Sequence, residues 1–342
     1  MIMNKIFGMF SLYWNRKKGI KLYNEKKYEE SLEFFNKAIN VKSTPELLNY
    51  KGYLFEKLGR FNKSLKTYDE SLRLEPNNKR VIISKARVSE LVGKYEDALS
   101  CYFDLLKLGC NDLFVYSEIG SLFKKLGNFS KAIKYYDKGL KLDPNNVEIL
   151  NNESIVLHLL KEYEKALNLL NMAIELDSND SDILCNKGHV LSELGRKKEA
   201  LEFYKKTLEL NTKDPKVYSY IGITYADLNN REEALKYFKK AVFYINNELE
   251  KNHDCCDLLI NKSISLFYLG MQNEAFDVIN KVLKRDPNNL NAMSYKAYYL
   301  KEKKEYQNSL LYYNKLLELS NDERFIKQRK EVLSLLENNE KD

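Results

Sequence analysis

The sequence predicts an all-α protein in which one helix hairpin is repeated along the chain. Nine segments of about 34 residues align without internal gaps, and they start at residues 12, 45, 79, 113, 147, 181, 215, 256 and 290. Small residues recur at two fixed positions of every segment, and the 342 residues include only 5 Pro and 13 Gly. So few turn-forming residues argue against strand-rich folds. Self-similarity at this period indicates a solenoid of stacked helix pairs.

The eighth and twentieth positions of every segment hold only Gly, Ala or Ser. Two helices approach closely only where the side chains between them are small. The twenty-fourth position is large, and we predict that it fills the space beside those small residues. The eighth position reads Gly19, Gly52, Ala86, Gly120, Ser154, Gly188, Gly222, Ser263 and Ala297. The twenty-fourth reads Phe35, Tyr68, Tyr102, Tyr136, Leu170, Tyr204, Phe238, Ile279 and Tyr313.

Glycine and proline mark the ends of the predicted helices. The fifteenth position is Gly59, Gly93, Gly127, Gly195 and Gly270 in five of the segments. A helix commonly ends in a left-handed residue, for which glycine is best suited. Pro45 and Pro215 open their segments, where a missing N–H does not weaken a starting helix. Each segment therefore predicts a helix A over about positions 2 to 14 and a helix B over about positions 18 to 30.

These columns resemble the tetratricopeptide repeat family, whose pattern has small residues at positions 8 and 20 and an aromatic residue at position 24. The resemblance covers nearly the whole chain, from Leu12 to about Glu323. It implies a right-handed superhelix in which the A helices form the concave wall. In this family that wall commonly grips a peptide or a segment of a partner protein.

The nine repeats occupy residues 12–323, and residues 324–342 predict a capping helix and tail. The seventh repeat carries seven extra residues. Seven residues are almost two helical turns, so we expect a lengthened helix pair there and not a loop.

Residues 1–11 form an apolar leader, which we interpret as a short helix that covers the first repeat. The apolar stretch is too short to span a bilayer, and contact with a membrane is not the favoured interpretation. An interfacial anchor is the alternative, because Arg16, Lys17 and Lys18 follow the apolar residues closely.

Positions 2, 5, 6, 9, 12 and 13 of helix A lie opposite its core side, and the family resemblance makes them the groove face. Up to residue 146 the chain has 27 Lys and Arg against 17 Asp and Glu, whereas the last three repeats place aromatic residues on this face. The hypothesis is a protein or peptide partner with an acidic stretch and an aromatic or apolar anchor. Its predicted contacts are Arg16, Lys17, Asn49, Tyr53, Arg80, Arg87, Lys124, Asn152, Asn186, Tyr220, Asn261, Tyr268, Tyr295 and Tyr298.

The predicted function is an interaction scaffold, with a regulatory or substrate-recruiting subunit of a separate enzyme as the alternative. No phosphate-binding loop, nucleophile elbow or HExxH motif is present, so we expect no catalysis, no cofactor and no metal. A metal site at His158, Cys185 and His189 remains an open alternative. Interspersed charges argue against a nucleic-acid partner, and five cysteines without a disulfide pattern favour the cytoplasm.

Overall fold

The computed structural model describes residues 2–210, 213–251, 255–320 and 322–339, with side chains from residue 7 onward. In these ranges it contains nineteen helices and no strand. The chain divides into two compact units, Met1–Ala173 and Ile174–Asp342, and the division falls inside α10.

The first ten helices are α1 Ile2–Asn24, α2 Tyr28–Val41, α3 Pro45–Lys57, α4 Phe61–Leu74, α5 Lys79–Leu91, α6 Tyr95–Lys107, α7 Leu113–Lys125, α8 Phe129–Leu142, α9 Val147–Leu159 and α10 Tyr163–Leu176. The remaining helices are α11 Ser181–Glu193, α12 Lys197–Leu210, α13 Pro215–Asp227, α14 Arg231–Lys251, α15 Cys256–Tyr268, α16 Gln272–Arg285, α17 Leu290–Glu302, α18 Tyr306–Leu319 and α19 Glu323–Asn339. Odd-numbered helices up to α17 are the A helices, and even-numbered helices are the B helices.

Short polar side chains fix where most A helices begin. Asp112 accepts a hydrogen bond from the backbone N–H of Val115 at 3.0 Å, and Asn146 accepts one from Ile149 at 3.0 Å. Each bond satisfies a backbone donor that the first turn of a helix leaves without a partner.

The turn between helices A and B contains a left-handed residue at position 15 in all nine repeats. The five glycines predicted there have φ between 68° and 82°. In the other four repeats Lys26, Lys161, Asn229 and Lys304 adopt φ between 58° and 63°. The prediction from the glycine column is therefore confirmed, and the turn geometry holds even where the residue is not glycine.

The core repeats the same contact between positions 8 and 24. A Cβ atom placed on Gly120 would lie 2.5 Å from the ring of Tyr136, and one on Gly222 would lie 2.7 Å from the ring of Phe238. Tyr136 and Phe238 are fully buried. The prediction that a large side chain occupies the space beside the small residue is confirmed.

Within each unit, A helices pack on their own B helices, as α7 does on α8 and α13 on α14, and B helices also pack on the A helix of the next repeat, as α8 does on α9. Neighbouring A helices touch as well, as in the pairs α7 with α9 and α15 with α17. At the end of the second unit, Phe325 and Val332 of α19 are buried against Tyr313 and Leu316 of α18. The all-α solenoid predicted from the repeats is thus the observed architecture.

Two helices depart in length from the rest. The residues predicted as a separate leader are instead continuous with helix A of the first repeat, since α1 runs unbroken for 23 residues. No proline or turn sequence separates the leader from the first repeat, so one helix continues through both. Helix α14 has 21 residues where α12 and α16 have 14, and residues 252–254 of the insertion lie outside the described part of the chain.

Candidate functional site

The groove face of the first unit carries many charged side chains, and most of them form ion pairs between neighbouring repeats. Arg87 contacts the carboxylate of Glu56 at 2.8 Å, and Lys125 contacts that of Glu90 at 2.5 Å. Arg16 contacts Glu46 in the same way. The predicted cationic contacts Arg16 and Arg87 are therefore engaged by acidic residues of this chain.

Tyr53 lies between two cations on this face. The Arg87 guanidinium is 5.4 Å from the centre of its ring, and the Lys57 ammonium is 5.1 Å away. Burial acts to raise the pKa of the Tyr53 hydroxyl, but a hydrogen bond with Tyr23 and the charge of Lys57 outweigh it and lower the pKa. Cation–π contact and charge pairing thus hold this part of the face together.

Lys124 and Asn152, both predicted contacts, bond to each other. The Lys124 ammonium donates to Asn152 Oδ1 at 2.7 Å, and burial lowers the pKa of that lysine. Glu118 on the neighbouring turn is also partly buried, and desolvation together with Glu90 raises the pKa of its carboxyl group. These groups form a charged network across α5, α7 and α9.

Three predicted contacts of the first unit have other environments. Arg80 and Lys17 are exposed and form no ion pair among the described residues, and the Lys17 ammonium lies 5.9 Å from the ring of Tyr13. Asn49 is half-buried, and its Oδ1 atom has no hydrogen-bond partner.

The buried tyrosines at position 24 reach through the helix layer to the groove face. Tyr102 donates its hydroxyl to Glu118 Oε2 at 3.3 Å. The hydroxyl of Tyr204 lies 3.2 Å from Nδ1 of His189. Sequence reasoning treated these residues only as apolar fillers. The preference for Tyr over Phe at position 24 was the available signal, because a phenol hydroxyl needs a polar partner when buried.

In the second unit, His189 and Tyr220 pack against each other with ring centres 4.2 Å apart. Burial raises the pKa of Tyr220 and of the Cys185 thiol, the latter to about 12. Asn186 is half-buried one turn away. No group of three or more His, Cys, Asp and Glu side chains suited to a metal ion occurs among the residues with described positions.

Asn261, another predicted contact, lies in α15 and is almost fully buried. It is 9% exposed, and its Nδ2 donates to the carbonyl oxygen of Asp257 at 2.9 Å. Its amide nitrogen is thus bonded to its own helix.

The remaining predicted contacts, Tyr268, Tyr295 and Tyr298, line one cavity of about 350 Å³. Three elements contribute to it: the end of α15, the groove face of α17 and the first turns of α19. The other lining residues are Asn291, Ser294, Arg324, Phe325 and Gln328.

The chemistry of this cavity is aromatic with a few polar atoms. Burial raises the pKa of Tyr295 and Tyr298, so both hydroxyls stay protonated near neutral pH and can donate hydrogen bonds. Gln328 Oε1 is buried and has no hydrogen-bond partner. Arg324 is held by Asp322, with its Nε atom 2.9 Å from Oδ2.

The contribution of α19 was missed from the sequence, where this helix was considered only as a cap. A signal was available in the register, since a tenth segment of 34 residues would start at residue 324. In the structure α19 begins at Glu323, one residue earlier, so Gln328 stands at position 6, a groove-face position, and Phe325 stands at position 3, the buried position of Val81 and Val115. The capping helix therefore continues the wall of the groove.

None of the described helices combines the length and the apolar character that crossing a bilayer requires. Tetratricopeptide repeat profiles match residues 45–78, 114–146, 135–168, 181–214 and 216–242. A search of curated proteins finds no match.

Solved structures show the same fold. A tetratricopeptide repeat protein from Parabacteroides merdae aligns with a TM-score of 0.63 and 17% identity, covering 75% of this chain and 99% of that one. The C-terminal part of a TPR repeat-containing protein from Cytophaga hutchinsonii aligns with a TM-score of 0.55 and 20% identity, covering 67% and 95% of the two chains. The profile matches, together with the repeated hairpins and the packing of position 24 on position 8, show that this chain contains tetratricopeptide repeats.

Proposed function

We propose that this protein is an interaction scaffold and that the groove face of its second unit binds an extended segment of a partner protein. Tetratricopeptide repeats generally mediate interactions between proteins. The observation that carries the proposal is the aromatic cavity between α15, α17 and α19. Such walls favour an apolar or aromatic anchor on the bound segment, because aromatic side chains contribute large buried areas at few rotatable bonds.

The polar atoms of the cavity suit the backbone of an extended segment. Gln328 Oε1 can accept a hydrogen bond from a backbone N–H, and the Tyr295 and Tyr298 hydroxyls can donate to carbonyl oxygens. A segment that supplies these groups together with an apolar side chain would satisfy the buried polar atom and fill the cavity.

The acidic stretch predicted for the partner has fewer contacts than the sequence suggested. Arg16 and Arg87 already pair with carboxylates of neighbouring repeats, so Arg80 and Lys17 are the cations left for it. We therefore place the specificity of binding in the aromatic anchor. The proposal concerns binding and assigns the chain no catalytic step.

The test is a selection of short random peptides on the full chain, followed by affinity measurement with the enriched sequences. We expect the enriched peptides to share an apolar or aromatic residue, and we expect Tyr295→Ala with Tyr298→Ala to weaken binding about tenfold or more. Phe243→Ala removes an exposed aromatic residue from α14 and serves as the matched control. Equal affinity of the double variant and the control variant would refute the proposal.

A further inference from the structure

The first half of α1 exposes a set of large apolar side chains. The exposed fractions are 76% for Phe7, 66% for Phe10 and 49% for Trp14. These residues are separated by three and four positions, so they share one face of the helix. Met9 and Tyr13 beside them are 68% and 60% exposed. Phe7, Met9 and Phe10 are therefore not buried against the first repeat, as the favoured interpretation of the leader required.

The opposite side of α1 explains why these residues stay exposed. Leu12 packs in the core of the first repeat, Asn15 is 6% exposed, and Leu22 is 4% exposed. That side fixes the rotation of the helix, and the face with Phe7 and Phe10 consequently points away from the protein. Trp14 is about half exposed, and its ring forms a T-shaped pair with that of Phe34, with ring centres 5.5 Å apart.

The charge of α1 has a single sign. The helix contains Lys5, Arg16, Lys17, Lys18 and Lys21 and no acidic residue. Arg16 pairs with Glu46, and Lys21 lies 3.8 Å from Glu25. Lys17 and Lys18 make no ion pair in the described part of the chain, and they follow the apolar face by one turn.

We propose that this face of α1 binds the surface of an anionic lipid bilayer, with Phe7, Phe10 and Trp14 entering the interface and Lys17 and Lys18 contacting the head groups. An apolar helix face next to unpaired lysines combines the two terms that drive such binding. A second copy of the chain fits the face less well, because Lys17 and Lys18 of two copies would bring like charges together and α1 contains no acidic residue to pair with them. The helix lies on the bilayer and does not cross it.

Trp14 is the only tryptophan of the sequence, so its fluorescence reports on this face alone. We expect its emission to shift to shorter wavelength with vesicles of phosphatidylcholine containing about 30% phosphatidylserine. Pure phosphatidylcholine vesicles should bind about tenfold more weakly, and about 0.5 M salt should weaken binding to the anionic vesicles.

Paired variants separate the two parts of the proposal. Phe7→Ser with Phe10→Ser should weaken vesicle binding about tenfold or more, whereas Leu142→Ser with Leu311→Ser, which removes two exposed leucines elsewhere, should not. Lys17→Glu with Lys18→Glu should weaken it about tenfold or more. Lys134→Glu with Lys141→Glu makes the same change of charge at exposed positions of α8 and is its control.

Three results would overturn the proposal. The first is the absence of a Trp14 shift with anionic vesicles, which would leave the face to a protein partner. The second is equal binding of the wild-type protein to anionic and neutral vesicles. The third is a Trp14 shift that follows protein concentration without lipid and accompanies dimer formation, which would assign the face to a second copy. The comparison of the two vesicle types uses only the wild-type chain and so does not depend on the folding of any variant.

Discussion

The groove faces of the two units are formed by the same positions of the A helices, but they differ in which side chains bond to neighbouring repeats. In the first unit Arg87, Lys125 and Arg16 each pair with a glutamate of a neighbouring repeat. In the second unit Tyr268, Tyr295 and Tyr298 surround a cavity of about 350 Å³. On the first face polar groups bond between neighbouring repeats, whereas the second face contains an aromatic cavity. Fewer cations on the first face are therefore available to a partner than a count of its Lys and Arg residues suggests.

The comparison also shows what the units share. Position 24 packs on position 8 in both, whether the residue is Tyr136 in the first unit or Phe238 in the second. The two groove faces therefore differ through side chains that do not take part in this core contact.

The largest expected effect tests this shared core. Gly120→Ala and Gly222→Ala each introduce a methyl group within 2.7 Å of a buried ring. We expect each to destabilise its unit by about 2 to 3 kcal/mol, because overpacking outweighs the better helix propensity of alanine. Urea denaturation measures the loss. Ser154→Ala, at the same position with a Cβ already present, is the control, and an equally small effect of the glycine variants would contradict the shared packing.

The second prediction concerns Glu153, a buried acid of the first unit. Glu153 is 7% exposed, its Oε2 atom has no hydrogen-bond partner, and burial together with Asp137 raises its pKa to about 7. The unfolded chain has the lower pKa, so ionisation of Glu153 is penalised only in the folded protein. The free energy of unfolding should therefore fall as the pH rises from about 4.5 to about 7.

Glu153→Gln removes this penalty, and we expect it to stabilise the protein by about 2 kcal/mol at about pH 8 and to have little effect at about pH 4. Thermal or urea unfolding at the two pH values gives the measurement. Glu148→Gln changes an exposed carboxylate of the same helix and is the control. A stabilisation that is the same at both pH values would show that ionisation is not its cause.

A smaller effect is expected for the tyrosine hydroxyls that reach the groove face. Tyr102→Phe and Tyr204→Phe each remove one hydrogen bond, to Glu118 and to His189 respectively. We expect a loss of about 1 kcal/mol for each variant. For Tyr102→Phe the loss should shrink when Glu118→Gln is also present, and a double-mutant cycle measures that coupling. Additive losses would argue that the hydroxyl acts through packing alone.

The smallest effect is expected for a single ion pair of the first unit. The Arg87 side chain is 47% exposed and that of Glu56 is 10% exposed. A double-mutant cycle with Arg87→Met and Glu56→Gln should give a coupling of about 0.5 to 1 kcal/mol that decreases with added salt. A coupling that does not change with salt would contradict the electrostatic interpretation of this face.

Much of the fold followed from the sequence because each repeat contacts mainly its neighbours. Small residues at positions 8 and 20 require close helices, and glycines such as Gly59 and Gly127 require a left-handed turn. These are local constraints, and the period of the sequence repeats them nine times. The same register, continued past residue 323, would have indicated Gln328 as a residue of the groove face.

Only the tertiary structure decided which polar groups are already bonded. The pairing of Arg87 with Glu56 and the bond of Lys124 to Asn152 join residues 31 and 28 positions apart, and they depend on how neighbouring A helices pack. The exposure of Phe7 and Phe10 likewise depends on the rotation of α1, which Leu12 and Leu22 fix against the first repeat. The sequence by itself determined the repeat and its core, because those follow from side-chain size and period. Which surface groups are already bonded depended on the tertiary structure, because their partners belong to other repeats.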